Sequence, residues 1–107
     1  MTDKWQALKD HHKAVANRPI LDLFAADPAR AHGFAARAAA MLLDYSKTNI
    51  DSKTKALLID LATVSGVAEK RAAMFAGEKI NDTEGRAVLH VALRAPDDVT
   101  IKVDGQD

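Results

Sequence analysis

Three basic side chains near the end of the chain, Arg86, His90 and Arg94, have the types and spacing to bind an anion. On a helix, this spacing of four residues places them in one polar row, with Glu84 beside it. Two guanidinium groups that flank an imidazole could hold a phosphate or a carboxylate. The row could equally be a solvated face, or contacts with another part of a larger protein. We favour the last interpretation and take Glu84, Arg86, His90 and Arg94 as structural contacts.

The adjacent pair His11-His12 does not predict a metal site. Neighbouring side chains on a helix point about 100° apart, so two adjacent imidazoles do not converge on one ion. One ring is expected to face solvent and the other to flank the apolar face of its helix. The sequence also lacks a Gly-rich phosphate loop, a nucleophile elbow and an HExxH motif. It therefore indicates no catalytic centre and no metal site.

Composition narrows the class of protein. The 107 residues suffice for one domain, and 48% of them are apolar, but only 5% are aromatic, so we expect a thin core. The formal charge of zero argues against nucleic-acid binding, and the absence of cysteine excludes disulfides and thiolate metal sites. No signal peptide or membrane-spanning run is evident. These features predict a soluble, cytoplasmic protein that binds neither nucleic acid nor membrane.

The elements that would position the candidate residues are mostly helices. Hydrophobic periodicity predicts a first amphipathic helix, and its apolar face is expected to carry Trp5, Leu8, His12 and Val15. Asp27-Pro28 has the residues of an N-cap and a first helical turn. Another clear helix follows Asp51 or Ser52, and its expected buried stripe consists of Leu57, Leu58, Leu61 and Val64.

The later elements are shorter, and for one stretch the sequence pattern does not distinguish helix from strand. Residues 35–40 are rich in alanine, which favours helix, yet residues 41–45 could form a short buried strand, so residues 35–45 stay open between the two. Gly66 and Gly77 are expected to end the helices that precede them. Asn81 followed by Glu84 has the spacing of a capping box and predicts a helix to about residue 93.

The last residues predict the first half of a β-hairpin. Residues 99–103 alternate and are β-branched, and Asp104-Gly105 is typical of a type I′ turn. A return strand is expected, and only Gln106 and Asp107 follow. We therefore expect the chain to be a piece of a longer protein.

Several blocks of sequence resemble the glucose-6-phosphate isomerase family. Residues 74–94, which include MFAGEKIN and TEGRAVLHVALR, are similar to the N-terminal region of these enzymes. Residues 43–47 resemble the family's Asp-Tyr-Ser-Lys-Asn element, although Thr48 precedes Asn49 here. Residues 103–105 match the start of a family hairpin, so the resemblance covers nearly the whole chain.

The resemblance implies a fold, a reaction and a partner. Residues 1–107 would be a mainly α N-terminal segment with a terminal β-strand, and two αβα sugar-isomerase domains would lie outside it. The enzymes interconvert glucose 6-phosphate and fructose 6-phosphate, in glycolysis and gluconeogenesis, by moving a proton between C1 and C2 through a cis-enediol. They need no metal or organic cofactor and are implied to be cytoplasmic homodimers. Their catalytic motifs match nothing in residues 1–107, so we assign no catalytic or substrate-binding residue.

Two other functions are open at this point. The thin core leaves apolar surface to spare, which would suit a free-standing helical interaction module. The chain could also isomerise sugar phosphates by itself, but without placed acid and base groups we expect no turnover.

Overall fold

The computed structural model describes residues 2–88 and 90–106, and the chain divides into two compact units, Met1–Leu61 and Ala62–Asp107. The helices are α1 (Thr2–Val15), α2 (Ile20–Ala26), α3 (Arg30–Gly33), α4 (Ser52–Val64), α5 (Val67–Phe75) and α6 (His90–Leu93). The strands are β1 (Ala35–Ala38) and β2 (Met41–Asp44). The mainly helical class is thereby confirmed. Within the described residues, no helix has both the length and the apolar character of a membrane span.

Short-range signals fix where the helices begin and end. The Thr54 backbone N–H donates to Asp51 Oδ1 at 2.7 Å, and the Asp51 N–H approaches Thr54 Oγ1 at 3.4 Å. This reciprocal arrangement makes Asp51, not Ser52, the residue that caps α4. Gly66 lies between α4 and α5 with φ +75°, a conformation that costs glycine little, as predicted for a helix terminator. Asp27 Oδ1 accepts the Ala29 N–H at 3.0 Å, but the helix itself begins only at Arg30.

The stretch that was open between helix and strand is an antiparallel hairpin. β1 pairs with β2 in the register Ala35↔Asp44, Ala36↔Leu43, Arg37↔Leu42 and Ala38↔Met41. Ala39 makes the turn at φ +53°, a left-handed conformation that is uncommon for alanine. The pairing overrides the helix propensity of the alanine-rich half. The strand at residues 41–44 is exposed along its whole length rather than buried.

The interior of the first unit is small and mostly polar. Phe34, at 7% exposure, is the only buried apolar side chain among the described residues, and it is accompanied by Arg30, Ser46 and His11. On α1 the buried ring is therefore His11, not His12 as the periodicity suggested. The expected stripe of α4 is only half-buried, and Leu58 and Val64 are exposed. The thin core that composition indicated is confirmed.

The helix expected from Asn81 to about residue 93 is wrong over its first half. Asn81 Oδ1 accepts the Glu84 N–H at 3.3 Å, as a cap would, but the chain then closes on itself. The Asn81 N–H donates to the Arg86 carbonyl at 3.0 Å, and the Gly85 N–H donates to the Asn81 carbonyl at 2.8 Å. Gly85 has φ +64°, and this left-handed residue interrupts the helix, so that only α6 remains.

The predicted turn at Asp104-Gly105 is present, but the strand before it is reduced to one residue pair. Both turn residues have positive φ, +53° and +79°, as a type I′ turn requires. Val103 and Gln106 exchange both backbone hydrogen bonds, at 2.8 and 3.0 Å. No ladder extends over residues 99–102, since the structure assigns them no strand. The end of the second unit is thus a hairpin tip rather than a sheet.

The backbone of Gly77 lies close to the backbone of Lys102 in the second unit. Gly77 has φ +79°, and a Cβ atom placed there would overlap the Lys102 carbonyl oxygen. Gly85 also has positive φ, but a Cβ atom there would meet no atom of the described residues within 4 Å. A substitution at Gly85 therefore tests backbone strain alone, whereas a substitution at Gly77 adds steric overlap with Lys102.

We expect Gly77→Ala to destabilise the second unit well beyond the roughly 1 kcal/mol that left-handed strain alone costs, because the backbone at Lys102 must move. Gly85→Ala is the matched control and should lose only the strain contribution. Urea unfolding followed by far-UV circular dichroism, with hydrogen exchange of the Val103 amide, measures both. Equal losses in the two variants would contradict this account of Gly77.

Candidate functional site

The candidate site is the loop that joins β2 to α4, here called the clamped loop (residues 45–51). Asp44 Oδ1 accepts the Ser46 backbone N–H at 2.9 Å and the Ser46 hydroxyl at 2.6 Å. The Thr48 hydroxyl donates to the Tyr45 carbonyl at 2.6 Å. Asp and Ser favour such local turns because their short side chains reach nearby backbone groups. Ser46 is consequently 1% exposed, although its neighbours in the chain are polar.

Arg30 holds the first half of the clamped loop from inside the unit. Its Nε–H donates to the Ser46 carbonyl and its Nη2–H to the Thr48 carbonyl, both at 2.8 Å. The guanidinium lies 4.3 Å from the ring centroid of Phe34 and 5.6 Å from that of Phe24. With 2% of the residue exposed, backbone carbonyls and aromatic faces replace water around the charge.

Tyr45 adds an aromatic contact to the same cluster. Its ring meets Phe34 edge to face, with centroids 5.6 Å apart and planes at 79°. The Tyr45 N–H donates to the Phe34 carbonyl at 3.0 Å, which extends the β1–β2 pairing by one residue. This geometry is the favourable one for two rings, since the positive edge of one faces the negative face of the other.

Arg18 holds the second half of the clamped loop. Its Nε–H donates to Asn49 Oδ1, and its Nη1–H donates to Asp51 Oδ2 at 2.6 Å. Asn49 in turn donates from Nδ2 to the Val15 carbonyl at 2.9 Å, which occupies a free acceptor at the end of α1. The end of α1 and the start of α4 are therefore joined through polar side chains.

Asp51 accepts hydrogen bonds from three sources. Burial raises its pKa, but the Thr54 backbone N–H, the Arg18 guanidinium and the Thr54 hydroxyl outweigh burial and hold the pKa well below its ordinary value. The Thr54 hydroxyl donates to Asp51 Oδ1 at 2.8 Å, so its single proton is already used. His11 Nε2, 2.7 Å from Thr54 Oγ1, must then be the donor of that contact.

The arrangement suits rigidity rather than proton transfer. Ser46 hydrogen bonds, first from the hydroxyl and then from the backbone N–H, also lower the pKa of Asp44. A general acid or base at neutral pH needs a pKa near 7, and both carboxylates are shifted away from it. Among residues 2–88 and 90–106, no cluster of three or more His, Cys, Asp or Glu side chains could hold a metal ion.

The four residues singled out from the sequence do not form one row. Glu84 and Arg86 lie on the closed loop of residues 81–86, mostly exposed, with Arg86 Nε 4.0 Å from Glu84 Oε2. His90 and Arg94 line an apolar pocket in the second unit. The other lining residues are Met74, Phe75, Ala95, Pro96, Val99 and Ile101. The structure therefore brings His90 and Arg94 together and leaves Arg86 apart from them.

Sequence reasoning missed both clamping arginines. Neither the type nor the spacing of Arg18 and Arg30 in the sequence indicates a site. The sequence gives only an indirect indication of them. Both arginines precede a polar loop that overlaps residues 43–47, which resemble a family element. Nothing in the residue types shows that backbone carbonyls are their partners.

Comparison with known proteins places the clamped loop in a family context. The family model for phosphoglucose isomerase matches residues 44–107, beginning at the aspartate that folds the loop. A glucose-6-phosphate isomerase of Cereibacter sphaeroides strain ATCC 17025 is 62% identical over 107 residues, which are 100% of this chain and 20% of that protein. Those of Mycolicibacterium smegmatis and Deinococcus radiodurans are 51% and 52% identical over 99% and 96% of the chain, each 19% of the relative. The chain thus spans about one fifth of the length of these curated relatives.

We expect Arg30→Ala to lower the free energy of unfolding by about 3 kcal/mol, because the Ser46 and Thr48 carbonyls lose their donor and two aromatic rings lose their cation. Arg37→Ala, at an exposed position of β1, is the matched control and should stay within about 0.5 kcal/mol of the parent chain. Urea unfolding at pH 7 measures both. Near-identical midpoints for Arg30→Ala and the parent chain would show that the clamp contributes little.

Asp51 should make the stability of the chain sensitive to acid. Because folding lowers its pKa, its contribution is complete above the unfolded value near 3.9 and is lost gradually as the pH falls from there to the lowered pKa of the folded state. Asp51→Asn should therefore cost about 1–2 kcal/mol at pH 7, somewhat less at pH 3 and least below about pH 2. Melting curves from pH 7 to below about pH 2 test this, with the exposed Asp97→Asn as control. A gap that does not narrow below about pH 3 would rule out the carboxylate as the source.

Proposed function

This chain belongs to the phosphoglucose isomerase family, and we propose that it forms the N-terminal segment of a glucose-6-phosphate isomerase. The whole enzyme would interconvert glucose 6-phosphate and fructose 6-phosphate in glycolysis and gluconeogenesis. Identity of 62% along all 107 residues supports this assignment over a free-standing interaction module. The reaction belongs to the proposed parent enzyme, since relatives of that name are about five times as long.

The role of the segment is structural, and one observation carries this conclusion. Arg18 and Arg30 lie before the region that the family model matches, and their partners Ser46, Thr48, Asn49 and Asp51 lie inside it. The two clamps therefore attach the N-terminal helices to the family region. A scaffold needs such fixed contacts, whereas an acid or base must be free to exchange its proton.

The chemistry of the clamped loop agrees with a scaffold. Isomerisation moves a proton between adjacent carbons and requires a group whose pKa lies near the working pH. The pKa values of Asp44 and Asp51 are shifted the other way by hydrogen bonds from nearby donors, so both carboxylates stay ionised. The base, the phosphate cradle and the remaining catalytic groups are therefore assigned to the parent enzyme outside residues 1–107.

The remaining parts of the assignment follow from the same proposal. The main partner is the remainder of the parent enzyme, which acts as a cytoplasmic homodimer on sugar phosphates. Neither a cofactor nor nucleic acid nor a membrane enters this function. Glu84, Arg86, His90 and Arg94 are proposed to contact the sugar-isomerase domains, with His90 and Arg94 offering a shared basic rim on an apolar pocket.

A hybrid enzyme tests the proposal. Residues 1–107 replace the matching segment of the 62% identical Cereibacter sphaeroides isomerase. We expect the hybrid to be soluble and to convert fructose 6-phosphate to glucose 6-phosphate at a rate within about tenfold of the natural enzyme, because a change in scaffold sequence leaves the reacting groups in place. A coupled dehydrogenase assay measures the rate.

Two controls define the outcome. The relative without its matching segment should lose activity or solubility, and residues 1–107 alone should show no turnover above background. A well-folded hybrid without activity would overturn the assignment. Full activity of the shortened relative would show that the segment is dispensable.

A further inference from the structure

One face of the β1–β2 hairpin is wholly apolar and open to solvent. Residues directly opposite each other in an antiparallel pair share a face, and neighbours along a strand alternate. The register therefore places four side chains together, here called the apolar hairpin face: Ala36, Ala38, Met41 and Leu43. All four are exposed, Met41 by 72% and Leu43 by 64%.

The opposite face of the same hairpin has a different character. It carries Leu42 opposite Arg37, and Asp44 opposite Ala35. Arg37 is exposed, and the Asp44 carboxylate is held by the Ser46 hydroxyl at 2.6 Å. This face is mixed in polarity, as expected of a sheet surface that borders water. The contrast between two faces of one short hairpin indicates that the apolar hairpin face is made to be covered.

Resting on the proposed function, we propose that the apolar hairpin face docks against the body of the parent isomerase outside residues 1–107. An isolated two-stranded hairpin is marginal in water, and three or more strands or a packed partner stabilise it. The curated relatives match this chain end to end with one fifth of their length, so four fifths of such an enzyme are available to cover the face.

The size of the face favours a partner within one polypeptide over a second copy of the chain. Two strands of four residues cover roughly 13 Å by 10 Å, on the order of 130 Å². A stable dimer needs about 800 Å² from each partner. Covalent linkage supplies a high effective concentration, so a small apolar contact suffices inside one enzyme.

The shape of the face indicates what it receives. Ala36 lies opposite Leu43 and Ala38 opposite Met41, so the β1 side is low and the β2 side is raised. Aliphatic side chains of a partner can pack against the two small alanines of β1. Met41 and Leu43 of β2 project further and can fill a matching depression in the partner surface. The occupant is thus an apolar, aliphatic surface of the sugar-isomerase body rather than a charged one.

Two neighbouring leucines provide the test. In the hybrid enzyme, Leu43→Asp places a charge on the apolar hairpin face, and Leu42→Asp places the same charge on the mixed face. We expect Leu43→Asp to lower the melting temperature of the hybrid by at least about 4 °C more than Leu42→Asp. In residues 1–107 alone, the two variants should melt within about 4 °C of each other, because both leucines are exposed there.

Oxidation of Met41 by hydrogen peroxide gives an independent readout that needs no variant. Conversion to the sulfoxide follows exposure, and mass spectrometry of the peptide that contains Met41 quantifies it. We expect fast oxidation in residues 1–107 alone and clear protection in the hybrid.

The outcomes separate the two proposals. An inactive wild-type hybrid overturns the proposed function, and with it the premise of the docking face. An active hybrid in which both leucine variants melt alike, or in which Met41 oxidises as fast as in the isolated chain, overturns the docking face alone. Selective loss in Leu43→Asp together with protection of Met41 establishes it.

Discussion

The first unit is built around a buried guanidinium that forms no ion pair with any carboxylate of residues 2–88 and 90–106. Arg30 is 2% exposed, and its hydrogen-bond acceptors are the carbonyls of Ser46 and Thr48, with Phe34 and Phe24 against its plane. A charge in such a place is tolerable only if each buried donor keeps an acceptor, because unpaired burial costs several kcal/mol. The arginine therefore dictates where the loop carbonyls must point. Lysine could not do the same, since its point charge lacks the planar fork that reaches two carbonyls at once.

Polar side chains also hold together the rest of the first unit, whose apolar core is small. Arg18, Asn49 and Asp51 join the end of α1 to the start of α4, and His11 reaches the same place through Thr54. The Asp51 carboxylate also lies at the positive end of the α4 dipole, where a negative charge is favourable. Directional bonds thus fix the elements that a larger apolar core would otherwise hold by packing. Several large apolar side chains, Met41 and Leu43 among them, are left at the surface.

What could be predicted from sequence divides by the distance over which each interaction acts. The Asp51 cap, the terminating Gly66 and the type I′ turn at Asp104-Gly105 depend on residues within a few positions, and all three were predicted, the first with Ser52 as alternative. The clamps span 16 to 33 residues, and several of the acceptors are backbone carbonyls. Every residue has such a carbonyl, so residue type gives no hint of which one an arginine will find.

The two misjudged segments have the same origin. Residues 35–40 have the propensity of a helix, but pairing with β2 decides their structure, which propensity alone cannot show. Asn81 and Glu84 have the spacing of a cap, yet Gly85 allows the chain to close onto Asn81 instead of continuing as a helix. Because that helix is not continuous, Arg86, His90 and Arg94 do not form one row on a helix face. In both places the short-range sequence pattern favours a helix, and a competing backbone hydrogen-bond pattern forms instead.

The polar construction of the clamped loop also fits the proposed place of this chain in an enzyme. A scaffold must hold one geometry over the pH range in which the catalytic groups elsewhere change protonation. Arginine stays charged throughout that range, and the lowered pKa values of Asp44 and Asp51 keep both carboxylates ionised well below neutrality. In the proposed parent enzyme, the loop would therefore not respond to the proton transfers of the reaction. Because polar bonds inside the unit fix its shape, the exposed apolar residues of β2 are free to face a partner without weakening the segment that carries them.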